Sequence, residues 1–201
     1  NLKYKLKFLG LKKSLHYTYL SNSNTSQELK KLLDHYGSDK GGKNNHHNYA
    51  QYYSEIFNNK KKKIKNFLEI GLGTNNTKLQ SNMGADGKPL ASLRAWRDYL
   101  PEANIYGADI DKEILINENR IKTFYVDQTN PDTIKKMFKE IGVEKFDVIL
   151  EDGLHEFNAN ICCFENSIDY LSDEGVYIIE DIYYKDEEKF IKYFKDKPYD
   201  F

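Results

Sequence analysis

The chain has 201 residues, enough for one sizeable core and short for two. Charged residues make up 30% and hydrophobic residues 39%, a globular balance rather than a disordered one. The formal net charge of −1 lacks the basic excess of a broad nucleic-acid footprint, and no apolar run reaches the roughly 18 residues of a membrane span.

In chain order, "NLKYKLKFLGLKKSLHYTYL" at residues 1–20 is basic and partly apolar. It predicts an N-terminal helix packed on the domain. The alternatives are a helix touching a membrane surface or partner, or a homo-oligomer interface. It is too charged for a signal-peptide core. The polar stretch 21–27 caps a helix that begins near Gln27 and ends at Gly37. "GSDKGGKNNHHNYAQYY" reads as a Gly-rich loop followed by a helix through about Phe57. The basic run "NKKKKIKN" at 59–66 reads as a solvated helix end or loop.

From there strands and helices alternate. "NFLEIGLG" (66–73), "NIYGADI" (104–110), "IKTFYVDQ" (121–128), "FDVILEDG" and "GVYIIED" read as strands. The helices between them are "LASLRAWRDYLP", "NPDTIKKMFKEIG" and "FNANICCFENSIDYL", with "KDEEKFIKYFKDK" last. Pro131 sits in a first turn, where its missing N–H costs nothing. This rhythm predicts an α/β fold with a parallel sheet and helices on both faces. The only cysteines, Cys162 and Cys163, are adjacent, which disfavours pairing with each other. A reducing, cytoplasmic setting is the expectation.

Parallel sheets bind ligands outside the carboxyl ends of their strands, and here every such end carries acids or glycines. Gly71 and Gly73 follow strand one, where they let backbone approach a ligand. The third glycine of the dinucleotide fingerprint is missing. Glu69 lies within that strand, Asp109 ends strand two, and Asp127 and Gln128 follow strand three. An acid at the end of strand two accepts hydrogen bonds from ribose hydroxyls. Acids at three ends suit a nucleoside without phosphates, so S-adenosyl-L-methionine is the expected cofactor, with NAD the runner-up.

Asp152 ends strand four, and Glu180 and Asp181 end strand five. Carboxylates gathered this way repel unless a cation neutralises them, and Mg²⁺ is the hard ion that oxygen ligands suit. The alternative is helix N-capping by Asp152 with Glu180 and Asp181 exposed. His155 follows Asp152 by three residues, which on a helical first turn puts both on one side. There it would act as general base.

These segments together, from "GSDKGG…HHNYAQYY" through "FLEIGLG", "SLRAWRDYLPEANIYGADID", "VDQTN" and "FDVILEDGLHE" to "GVYIIED", resemble the metal-dependent sugar O-methyltransferases of the macrocin/mycinamicin type. The resemblance covers roughly residues 36–183. It implies a class I, Rossmann-like fold of strand order 3-2-1-4-5, with residues 1–60 as a helical cap or lid and 61–201 as the methyltransferase domain. It implies Mg²⁺ on Asp152, Glu180 and Asp181, and His155 as base. Glu69, Gly71, Gly73, Asp109, Asp127 and Gln128 would hold the cofactor, with Asp39 and Tyr49 closing over its methionine end. The acceptor would be a sugar hydroxyl, such as a nucleotide-linked heptose or another capsule or surface-glycan precursor.

Departures include the longer loop "NMGADGKPLASLRAW" and Leu154 before the histidine. Only one helix follows strand five, which suggests a truncated C-terminus lacking two further strands. Rival readings are an NAD-dependent sugar oxidoreductase, a methyltransferase for a non-sugar acceptor such as a phosphoramidate, and a non-catalytic binding protein.

Overall fold

A computed structural model describes residues 4–8, 24–42, 47–57 and 59–200. The strands are β1 (Tyr4–Phe8), β2 (Asn66–Ile70), β3 (Asn104–Asp109), β4 (Asn117–Glu118), β5 (Ile121–Tyr125), β6 (Phe146–Glu151), β7 (Leu171–Ile179) and β8 (Tyr199–Asp200). The helices are α1 (Asn24–Tyr36), α2 (Tyr49–Phe57), α3 (Ala91–Tyr99), α4 (Pro131–Ile141), α5 (Phe157–Ser167) and α6 (Glu187–Phe194).

One sheet runs in the order β4-β5-β3-β2-β6-β7-β1-β8. Its centre, β5-β3-β2-β6-β7, is the expected 3-2-1-4-5 arrangement, and all of its neighbours pair in parallel. The two-residue β4 is antiparallel to β5 and was not anticipated. Beyond β7 lie β1 and β8, both parallel.

The expected N-terminal helix is corrected over Tyr4–Phe8, which is a strand with Phe8 beside Ile179. The signal was present in the sequence, because Tyr4, Leu6 and Phe8 alternate with Lys5 and Lys7, the period of a strand. Residues 1–3 and 9–20 of that expectation lie outside the described residues.

Two apolar layers flank the sheet. On one face α1, α2 and α3 bring Leu29, Leu33, Tyr53, Phe57 and Trp96 onto Phe67, Ile105, Val148, Leu150 and Ile178. On the other, Ile134, Phe138, Phe164 and Phe194 of α4, α5 and α6 cover Leu68, Ile70, Ile149, Tyr177 and Ile179. Odd and even positions take opposite faces at the carboxyl ends of the strands, β6 doing so beyond the irregularity between Phe146 and Val148. That parity decides where the strand-end acids go.

Helix ends follow local chemistry. Asn130 caps α4, its side chain accepting from Asp132 N at 3.0 Å, and Gly142 closes the helix with φ 71°. The basic run at 59–63 is a turn anchored by Lys60 to Glu174 O and by Lys61 to Glu28. Cys163 is buried in α5, and both cysteines are free. Among the described residues, no helix is long and apolar enough to cross a membrane.

Candidate active site

The exits of β2, β3, β5, β6 and β7 meet on one rim. Backbone bonds beyond the strands hold them there: Gly71 N donates to Ala108 O at 2.8 Å, Asp152 N to Ile70 O at 2.8 Å, and Glu180 N to Glu151 O at 2.9 Å. Above the rim opens a cavity of about 1410 Å³. Its wall includes Gly71, Gly73, Asp109, Asp127, Gln128, Asp152, His155 and Asp181, together with Asp39 from the segment before α2. Loop residues Lys78–Met83 and Asp86–Lys88 line the same space, as do Tyr183 and Lys185.

At the nucleoside end, Asp109 is only 6% exposed. Its Oδ2 accepts from Leu72 N at 2.7 Å and its Oδ1 from Asp111 N at 2.8 Å. Burial raises its pKa, against these backbone donors. Each oxygen keeps a second lone pair for a ligand hydroxyl. Gly71 has φ +92°, and a Cβ there would lie 2.1 Å from Asp152 O. Its missing side chain therefore lets two strand exits approach, a role beyond the ligand contact expected from the sequence.

Parity sends Glu69 to the α2–α3 face. It is fully buried, takes a 2.9 Å hydrogen bond from Trp96 Nε1, and does not line the cavity. Among the described residues its Oε1 has no hydrogen-bond partner, and it lies 4.0 Å from Lys40 Nζ. Burial pushes its pKa to about 7, despite the Lys40 charge.

Glu180 follows the same parity. It is 1% exposed, which removes the alternative of a surface acid. Its two oxygens accept from Lys40 Nζ and from Tyr53 OH. Burial lifts its pKa to about 7, opposed by Lys40.

Lys40 also donates to Asp152 Oδ2. Burial disfavours its charge, but Asp152, Glu180 and Glu69 outweigh that and hold its pKa well above the ordinary value. Lys40 is a residue that sequence reasoning missed. It lies in the "SDK" segment of the family likeness, but nothing in the linear sequence joins it to acids 112 and 140 residues away.

Asp152 offers its other oxygen, Oδ1, to His155 Nε2 at 3.1 Å, and Asp181 Oδ2 lies 4.0 Å from the same nitrogen. Burial alone would raise the Asp152 pKa; Lys40 and His155 reverse that and lower it. Burial alone would lower the His155 pKa; the hydrogen bond and charge of Asp152, then the charge of Asp181, raise it. One ligand atom each from Asp152, His155 and Asp181 falls within 4.8 Å of the others.

The helical spacing expected for Asp152 and His155 is corrected. His155 precedes α5 and has φ 59°, so a left-handed turn, not a helical first turn, brings the two side chains together. Glu156 stands at the N-cap position, without a side-chain cap bond, so Asp152 is not the cap either.

Tyr49 donates its hydroxyl to Asp181 Oδ1 and is 6% exposed. It touches the acidic cluster, while Asp39 faces the cavity. Gln128 is 8% exposed with both ends of its amide engaged, Nε2 to Glu151 and Oε1 to Leu154 N.

No family model matches the chain. Among curated proteins it is similar to 8-demethyl-8-alpha-L-rhamnosyl tetracenomycin-C 2'-O-methyltransferase of Streptomyces olivaceus, at 29% identity over 73% of this chain and 35% of that protein. It is 28% identical to mycinamicin VI 2''-O-methyltransferase of Micromonospora griseorubida, over 68% of this chain and 32% of the relative. With demethylmacrocin O-methyltransferase of Streptomyces fradiae the identity is 26% over 88% of this chain and 42% of the relative. The chain thus spans between about a third and two fifths of the length of these relatives.

The solved MycE methyltransferase of the mycinamycin biosynthetic pathway, in complex with Mg and SAH, superposes with a TM-score of 0.65 at 26% identity. The match covers 81% of this chain and 42% of MycE. A second MycE structure, which also holds mycinamycin VI, gives a TM-score of 0.64 at 27% identity over 77% of this chain and 39% of that one. The α/β architecture is that of MycE, and the chain is a homologue of the sugar O-methyltransferases of the macrocin, mycinamicin and tetracenomycin type.

Proposed function

We propose that this chain binds S-adenosylmethionine and Mg²⁺ and transfers a methyl group to a sugar hydroxyl. The observation that carries the proposal is the cluster of Asp152, His155 and Asp181 on the wall of the same cavity as Asp109 and Gly71. The two carboxylates suit a hard divalent cation, and the imidazole stands beside them as a base rather than as a ligand. Glu180, already held by Lys40 and Tyr53, would join only by giving up one of those bonds. Bound there, the cation would lower the pKa of an acceptor hydroxyl, and the sulfonium cofactor would supply the methyl group.

The chain's own residues do the rest. Asp109 has lone pairs for the ribose hydroxyls, and the Gly71–Gly73 turn leaves room beside them. His155 would take the hydroxyl proton as a neutral imidazole, once its Nε2 has given up the bond to Asp152 Oδ1. Residues 24–57 supply Lys40, Tyr49 and Tyr53 from the cap side, so we read the N-terminal segment as a cover that completes the site. The cavity is large enough to admit a glycosyl acceptor beside a nucleoside. The lysines at 78, 88 and 185 suit one that carries an anionic group, as a nucleotide-linked sugar does.

Calorimetry with S-adenosylmethionine, with and without Mg²⁺, tests the reading. Binding of the cofactor is expected. Failure to bind it at millimolar concentration would sink the proposal. His155→Ala is expected to keep cofactor affinity within a few-fold while losing roughly 10²–10⁴ in turnover on a sugar acceptor, the usual worth of a general base. Equal loss of both would make the histidine structural.

A further inference from the structure

Glu151 immediately precedes the candidate metal ligand Asp152, yet parity sends it to the opposite face of the sheet. It is fully buried and does not line the cavity. No lysine or arginine meets it among the described residues. Its oxygens are met by amides instead: Gln128 Nε2 donates to Oε1 at 2.8 Å, Asn160 Nδ2 donates to Oε2, and Gly153 N approaches Oε1 at 3.3 Å.

This arrangement dictates the orientation of Gln128. An ionised carboxylate only accepts and a backbone N–H only donates. The Gln128 amide must therefore turn its nitrogen to Glu151 and its oxygen to Leu154 N, 2.7 Å away. Gly153 packs so closely on this amide that a Cβ would lie 1.7 Å from Gln128 Oε1. Two residues beyond Gly153, His155 holds the left-handed φ of 59°, a conformation that persists only where surroundings over-determine it.

We infer that Glu151, acting through Gln128 and braced by Asn160, is the positioning residue that sets the 152–155 turn and so aims Asp152 and His155 into the cavity. The inference rests on the proposed role of that turn. It also links the cofactor end to the reacting end, since Gln128 lines the cavity at the exit of β5 and Glu151 closes β6.

A charge swap tests it. Gln128→Glu alone sets two buried carboxylates against each other. Gln128→Glu with Glu151→Gln restores the pattern. The new amide at position 151 donates to the new carboxylate at position 128 and still accepts from Asn160, and Leu154 N keeps an acceptor; only the long 3.3 Å contact from Gly153 N is given up. Three readouts are needed on the full chain: protection of the Leu154 amide against hydrogen exchange without ligands, Mn²⁺ affinity by calorimetry, and the melting temperature.

The single variant is expected to lose Leu154 protection and to weaken Mn²⁺ binding by roughly tenfold or more. The swap is expected to regain protection and to return Mn²⁺ affinity to within about threefold of the parent. A swap that restores melting temperature but not Mn²⁺ affinity would reduce the network to a structural role and overturn the inference. So would a single variant whose Leu154 amide and Mn²⁺ affinity are unchanged. Should the parent protein bind no Mn²⁺, the metal reading fails by itself, and the Leu154 amide still decides whether Glu151 sets the turn.

Discussion

At the scale of single residues, Lys40 shows how a fixed cation makes an acidic site tolerable. Asp152, Glu180 and Glu69 converge on it from three strand exits, and its side chain is 5% exposed. Its backbone is pinned too, with Ala50 N donating to its carbonyl at 3.0 Å and Lys30 Nζ to the next carbonyl, Gly41 O, at 2.6 Å. Removing one partner of a buried pair leaves an uncompensated charge, at about 3–5 kcal/mol. Lys40→Met is therefore expected to destabilise the metal-free protein by about that much in urea denaturation. Adding Glu180→Gln should recover part of the loss. A cost below about 1 kcal/mol would mean that the cluster does not depend on the ammonium. The sequence showed the acids and the "SDK" segment separately; contacts across 112 and 140 residues joined them.

Among the elements, the strand exits decide the site. Assigning Asp109, Asp152 and Asp181 to one rim needed only the β–α rhythm, and the structure gathers them around one cavity. The finer geometry depended on parity and turns. Even positions 148 and 150 of β6 and 176 and 178 of β7 face α1–α3, and Glu180 continues that series toward Lys40. Glu151, on the odd series, faces α5. His155 reached Asp152 through a left-handed turn that a helical count of three does not describe. Gly71 belongs at this scale as well, because its φ of +92° and the approach of Asp152 O leave no space for a methyl group. Gly71→Ala is expected to cost at least about 1–3 kcal/mol and to pry the β2 and β6 exits apart. A melting curve indistinguishable from the parent would refute the close approach of the two exits.

Over the whole molecule, buried ionisable groups give stability a pH dependence of definite sign. Glu69 and Glu180 are lifted from the ordinary 4.5 to about 7 by burial. Between those values the folded chain keeps protons that the unfolded chain has released, so stability falls as pH rises through that window. Asp109 and Glu151, raised by burial, act in the same direction. His155 does too: its raised pKa contributes stability that is full below its unfolded value and lost as pH climbs through the folded one. Metal-free protein is thus expected to unfold at lower urea concentration at about pH 8 than at about pH 5.5, with Glu69→Gln flattening part of the slope. A flat or rising profile over that range would contradict the assignment of these acids as buried and only partly neutralised.

The sequence by itself determined the order of the central strands, the face on which ligands bind, and the family likeness. The strand order is what that likeness implied; the ligand face and the likeness itself rest on local periodicity and on residue types at strand ends, which a linear chain displays directly. Tertiary structure alone decided which acids face the cavity and which lie behind it, that Lys40 is their shared counter-ion, and that Glu151 meets Gln128 across the turn of Asp152 and His155. Those relations join residues 23 to 140 positions apart. They come from strand parity and helix packing, which bring side chains together only after the sheet has closed.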